Sequence, residues 1–109
     1  MKTIGENIRN FRQFRNMTQV ELGKALGRSK NVVSNWERGD NEPDLDTIAE
    51  ICRVLNVTPN QMFGWEKNPE YEDRMARLSK YVEMMAELEK KKSEIERELI
   101  DIRRKFHET

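Results

Sequence analysis

Along the first sixty or so residues the apolar positions fall into short groups at helical spacing, separated by polar turns. Ile4, Ile8 and Phe11 share one face of a first helix, and Val20, Leu22, Ala25 and Leu26 give a second its buried side. Val33 and Trp36, three apart, mark the inward face of a third, and Ile48, Ile51, Cys52 and Leu55 do the same for a fourth. Met62 and Phe63 close the core from a short fifth. The polar punctuation agrees with these groups. Thr18 and Glu21 form a capping box, in which hydroxyl and carboxylate satisfy backbone donors at a helix start. Gly27 permits the positive-φ exit that closes the second helix, and Ser29 caps the third, which runs to Arg38 and stops at Gly39. Pro43 and Asp44 end the next loop and cap the fourth helix, while Thr58, Pro59 and Gln61 make a second capping box with proline at the first helical position.

The pattern changes after Gly64. WEKNPE has no apolar period and predicts a linker over residues 65–69 between a domain at 1–64 and a tail at 70–109. From Glu70 to about His107 there is neither glycine nor proline, which predicts one helix of about 57 Å at about 1.5 Å per residue. With Tyr71 at heptad position a, the a positions are Tyr71, Leu78, Met85, Lys92, Leu99 and Phe106, and the d positions are Arg74, Tyr81, Leu88, Ile95 and Ile102. Nine of these eleven are apolar, so the face suits a dimer seam. In a parallel pair Lys91 would meet Glu96 and Glu98 would meet Arg103, with a buried Lys92 fixing register at a cost in stability. Met75, Val82 and Met84 widen the first half of the stripe. Such a methionine-rich face can also take a partner protein, or its first turns can fold back on Trp65 or Phe14.

Composition narrows the classes. With 109 residues, 36% hydrophobic and 37% charged, the chain fits one small domain plus an extended appendage. Five short helices make a core that is only marginally stable alone. No charged segment followed by an apolar run opens the sequence, and no stretch approaches a membrane span, so a soluble, unsecreted, cytoplasmic protein with no membrane partner is expected. The single Cys52 sits in an apolar helical pattern and reads as a small buried hydrophobe; His107, the one histidine, has no companion ligands. No nucleophile with clustered carboxylates, phosphate-cradling glycine loop or metal-ligand spacing is present, so no enzyme, cofactor or metal is expected.

Net charge is zero, but its distribution is uneven. From Arg9 to Arg38 seven basic residues stand against two acidic ones, whereas all five charges from Gly39 to Glu50 are acidic. The basic cluster includes the second and third helices, where a nucleic-acid surface needs local positive potential.

The run Thr18 to Gly39, TQVELGKALGRSKNVVSNWERG, resembles the lambda-repressor-like, Xre-type helix-turn-helix family through Thr18, Gln19, Glu21, Leu22, Gly27, Ser29, Val33, Ser34, Trp36, Glu37 and Gly39. IGENIRNFR at 4–12 looks like that family's first helix, and LDTIAEICRVLNVTPNQMF at 45–63 like its fourth and fifth. The resemblance implies an all-α, five-helix DNA-binding domain, here followed by a long C-terminal coiled-coil helix. It implies that double-stranded DNA is the partner, with the third helix in the major groove. Lys30 can donate to guanine, Asn31 and Asn35 can pair with adenine, Ser34 lies on the same side, and Val32 either touches a thymine methyl or packs inward. Gln19 stands where the family places a phosphate contact, beside Thr18 and Ser29; Arg15, Arg28, Arg38 and Asn41 are further phosphate candidates. The resemblance also implies an ion pair between Arg12 and Glu37 that orients the reading helix. One departure stands out, because the loop GDNEPDLD after the third helix is acidic where the family often carries basic residues.

The expected function is a bacterial or phage homodimeric repressor at the nucleoid, on a near-palindromic operator. The alternatives are an antitoxin or restriction-modification controller with the same domain, or an adaptor that binds an antirepressor or other protein through the tail.

Overall fold

The computed structural model describes residues 2–108, and among them six helices and no strand are present. They are α1 (Ile4–Phe14), α2 (Gln19–Leu26), α3 (Lys30–Arg38), α4 (Leu45–Leu55), α5 (Pro59–Met62) and α6 (Pro69–Glu108). Each begins behind a polar side chain that accepts a backbone N–H: Thr3, Thr18, Ser29, Asp44, Thr58 and Asn68. Thr18 with Glu21 and Thr58 with Gln61 are reciprocal capping boxes. Gly27 and Gly39 end α2 and α3 at φ 68° and 81°, while Asn56 takes the same left-handed cap after α4.

The chain divides into two compact units between Glu72 and Asp73. In the first, Ile8, Leu22, Val33, Ile51, Leu55 and Met62 lose all solvent exposure, and Phe11, Phe14, Trp36, Ile48, Cys52 and Val57 complete the core. Two members of the predicted buried side of α2 are placed differently. Val20 and Ala25 are exposed, and α2 instead faces the core through Leu22 and Gly23 with Leu26 half-buried. The reason is helical spacing, which puts Val20 and Ala25 away from the face that Leu22, Gly23 and Leu26 share. On that face a Cβ on Gly23 would lie 2.7 Å from the Arg28 carbonyl oxygen, so the helix closes tightly on the following turn. Gly5 plays the same part in α1, where a Cβ would sit 2.2 Å from the carbonyl oxygen of Trp36.

The segment predicted as a linker is tied to this unit. Trp65 and Glu66 donate backbone N–H groups to the Asn60 carbonyl, and Phe63 and Trp65 stack at 5.0 Å. Asn68 is buried, donates to Gln61 Oε1 at 3.0 Å and caps α6 by accepting from Tyr71 N–H. Tyr71, expected at the head of the dimer seam, packs its ring against Phe11 at 5.2 Å and Phe14 at 5.3 Å. It therefore extends the core of the first unit, in keeping with the fold-back onto Phe14 considered for the first turn, and the open seam starts at Leu78.

The second unit is the remainder of α6. Leu78, Tyr81, Met85, Leu88, Ile95, Leu99, Ile102 and Phe106 are all exposed, and the helix has no buried residue. Lys92 is exposed as well. No helix among the described residues is long and apolar enough to cross a membrane.

Candidate nucleic-acid interface

α3 is held from three sides. Val33 and Trp36 pin its inner face to the core, Gly5 lets α1 touch its C-terminal backbone, and Gly23 lets α2 close on the turn at its N-terminus. A polar network fixes its rotation. Arg12 donates through Nε to Glu37 Oε2 at 2.7 Å and through Nη2 to Oε1 at 2.9 Å, while Nη1 donates to the Met17 carbonyl at 2.7 Å. Gln19 Nε2 donates to the same Oε1 at 3.1 Å. The Glu37 side chain is 4% exposed and that of Arg12 10%, so the pair is nearly dry and answered on both carboxylate oxygens. Its value is orientational, because the desolvation of two charges offsets much of their attraction, whereas the planar fork tolerates one geometry.

With Val33 and Trp36 inward, Lys30 and Asn31 stand exposed at the start of α3, and Val32, Ser34 and Asn35 are half-buried. Val32 packs partly on the core, so its two alternatives merge: one side is inward and the rest faces out. Lys30 also lines a shallow groove with Thr18, Gln19 and Val20 at the start of α2. Ser29 and Thr18 spend their hydroxyls as acceptors for their own helix N-termini.

The basic cluster is smaller in space than in sequence. Arg12 is paired with Glu37, Arg15 with Glu70, and Arg38 with Asp40. Arg15 leaves the phosphate set altogether. Its Nε and Nη2 donate to the carbonyls of Leu55 and Asn56 at 2.7 and 3.0 Å, its Nη1 to Glu70 at 2.9 Å, and its guanidinium lies 4.6 Å from the Phe14 ring centre. The last carbonyls of α4 have no partner within the helix, and this cation answers them. Lys24, Arg28 and Lys30, gathered around the turn from α2 to α3, make no ion pair within bonding distance among the described residues.

The acidic loop is likewise put to use. Asp40 binds Arg38 Nε at 3.0 Å. Asp44 caps α4, and its carboxyl is held below the usual range by hydrogen bonds from the Thr47 hydroxyl and backbone N–H, with Arg28 adding attraction. Arg28 itself donates weakly to Thr47 Oγ1 at 3.4 Å. Asn41 is exposed beyond Gly39. Cys52 is buried, which pushes its thiol up from the ordinary value and away from reactivity.

A short polar-faced helix, set by a three-residue turn against a capped partner helix on an independent core, defines a helix-turn-helix domain. The chain belongs to the lambda-repressor-like helix-turn-helix family: the Helix-turn-helix model matches residues 8–62, just over half of the sequence. It is similar to the HTH-type transcriptional regulator DicA of Escherichia coli strain K12, with 39% identity over 87 residues, covering 76% of this chain and 64% of that protein. Antitoxin PezA of Streptococcus pneumoniae serotype 4 is 34% identical over 64 residues, 59% of this chain and 40% of that protein. The chain thus spans less than two thirds of either relative. Among solved structures, the P22 c2 repressor in complex with synthetic operator 9T superposes with a TM-score of 0.55 at 30% identity, covering 58% of this chain and 96% of that one.

Gly5, Gly23, Asn7 and Asn68 escaped the sequence reading. Asn7 donates to the Met62 carbonyl at 2.8 Å and ties α1 to α5. The only sequence signal for the two glycines was their place inside helices, where glycine is costly without a packing reason.

Proposed function

We propose that the protein is a sequence-specific DNA-binding transcriptional regulator, not an enzyme, that acts as a homodimeric repressor on a near-palindromic operator at the bacterial or phage nucleoid. The observation that carries this reading is the outer face of α3: Lys30, Asn31, Ser34 and Asn35 share the side opposite Val33 and Trp36, with Lys24 and Arg28 at its leading end. Side chains of these types make base-edge hydrogen bonds in the major groove, and cations around a helix start hold phosphates. Likeness to the operator-bound P22 c2 repressor supports the same use of α3 here. Gln19, Thr18, Ser29, Arg28 and Asn41 then meet the backbone; Gln19 does so while its amide also steadies Glu37.

Dimerisation follows from α6. The exposed apolar stripe that begins at Leu78 and includes Tyr81, Met85, Leu88, Ile95, Leu99 and Ile102 favours a second copy, whose two reading helices would address half-sites about 34 Å apart. Selection of bound sites from a random duplex pool tests the reading. A near-palindrome with two half-sites is expected, and absence of any enrichment at low salt removes sequence-specific DNA binding from the account. A specific feature favours one second reading, capture of a partner protein such as a toxin or antirepressor: Met84 and Met85 are 59% and 66% exposed, and flexible thioethers suit adaptable contacts. Sedimentation of the purified chain separates the two, since a monomer at micromolar concentration argues for the partner.

A further inference from the structure

Arg38 stands one turn beyond Ser34 and Asn35 on α3, so a long side chain reaching back along the helix meets both. Its guanidinium makes three bonds. Nη1 donates to Ser34 Oγ, Nη2 donates to Asn35 Oδ1, and Nε donates to the Asp40 carboxylate at 3.0 Å. Asp40, the first acidic residue of the loop that departs from the basic pattern, thereby anchors the guanidinium from the far side.

The chemistry of the donor settles how the Asn35 amide is turned. A guanidinium carries five N–H groups and no acceptor, so only the carbonyl end of an asparagine can face it. With Oδ1 turned toward Arg38 and one of its two lone pairs taken, Asn35 presents its NH2 group outward. Ser34 is in a similar position: its oxygen accepts from Arg38, and its hydroxyl proton is left to donate. Pairing with the adenine edge needs an acceptor and a donor from one amide side by side, to meet N6–H and N7. An Asn35 held with its oxygen aimed at Arg38 meets that edge poorly. Guanine shows two acceptors there, N7 and O6, and matches a face that donates.

We propose that Arg38, anchored by Asp40, is a positioning residue that turns Asn35 and Ser34 into hydrogen-bond donors and so sets a guanine preference at the base pair beneath Asn35. This rests on the DNA-reading function proposed above. It replaces the adenine contact expected of Asn35 from its residue type, and it gives the acidic loop a part in specificity.

The test uses the full chain and an operator recovered by selection, with every base pair of one half-site changed in turn and each affinity measured. Asn35→Ala marks the base pair that Asn35 reads. Wild type is expected to prefer guanine there by roughly tenfold over adenine. In Arg38→Met the amide can rotate, and the preference is expected to move to adenine at that base pair while other positions keep theirs. Asp40→Ala leaves the cation in place but unanchored and should narrow the guanine preference several-fold; it serves where Arg38→Met has lost phosphate affinity or fold. Adenine preference in wild type, or a guanine preference unmoved in both variants, overturns the proposal alone. Failure of wild type to select any sequence overturns the DNA-reading function and this proposal with it.

Discussion

The two units of this chain differ in composition, with every glycine and proline in the first, and solve opposite problems. The first buries twelve apolar side chains and answers every buried polar side-chain atom among the described residues; the second, one helix from Asp73 onward, keeps Leu88, Ile95, Leu99 and Ile102 in water. A helix with an apolar stripe gains little by itself, because helical stability in proteins comes mainly from packing that stripe. The first unit has a core of its own, whereas the apolar face of the second acquires a purpose only against another surface.

That contrast can be broken most sharply at Arg12. Arg12→Met leaves the 4%-exposed Glu37 carboxylate with only Gln19, and a loss of about 3–5 kcal/mol in urea unfolding is expected, with DNA affinity falling too. Retained affinity in that variant would remove the orienting role. Arg12→Met with Glu37→Leu is expected to regain much of the stability but not the affinity.

Next come paired leucine deletions. Leu22→Ala in the first unit should cost about 2–5 kcal/mol, whereas Leu99→Ala should leave the stability of the first unit unchanged and instead weaken dimerisation of the full chain, read by sedimentation. Equal loss of monomer stability from both would mean that the tail is packed on its own chain.

A smaller effect sharpens the boundary itself. A chain ending at Gly64 lacks Tyr71 and Glu70, so it should be less stable than one ending at Glu72 by about 1–3 kcal/mol, as the faces of Phe11 and Phe14 lose their ring partner. Identical melting of the two would return residues 65–72 to the status of a linker.

The smallest effect is a pH dependence within the first unit. The Asp44 carboxyl is depressed below its ordinary 3.8 in the folded state. The unfolded chain therefore takes up that proton first as pH falls, so the stabilisation is present above 3.8 and lost below it. Asp44→Asn keeps the cap but not the charge, and its stability deficit at pH 7 should shrink as the pH falls below 3.8 in acid titrations followed by circular dichroism.

Most of the helix order was legible because caps and turns are local. Thr18 with Glu21, Ser29, Gly27, Gly39, Asp44 and Thr58 with Gln61 each act within four residues, so the chain states them directly. The inner faces of α1, α3 and α4 were legible for the same reason, since 3.6-residue periodicity is a property of neighbours. The site was legible only as a set of residue types on one helix. How many of them remain available was not, because Arg15 is consumed by a carbonyl 40 positions away and Gln19 is shared with a carboxylate 18 away. Val20 and Ala25 were misplaced because an apolar residue type was allowed to outweigh helical spacing, which puts both off the face of Leu22 and Leu26.

The sequence by itself determined the helices, their ends, the turn between α2 and α3 and the apolar stripe of α6. Only the tertiary structure decided which charges stay free, how Arg15 and Gln19 are engaged, and that Tyr71 belongs to the core rather than the seam. Secondary structure is set by interactions along three or four residues, whereas the availability of a side chain depends on partners that folding alone brings near.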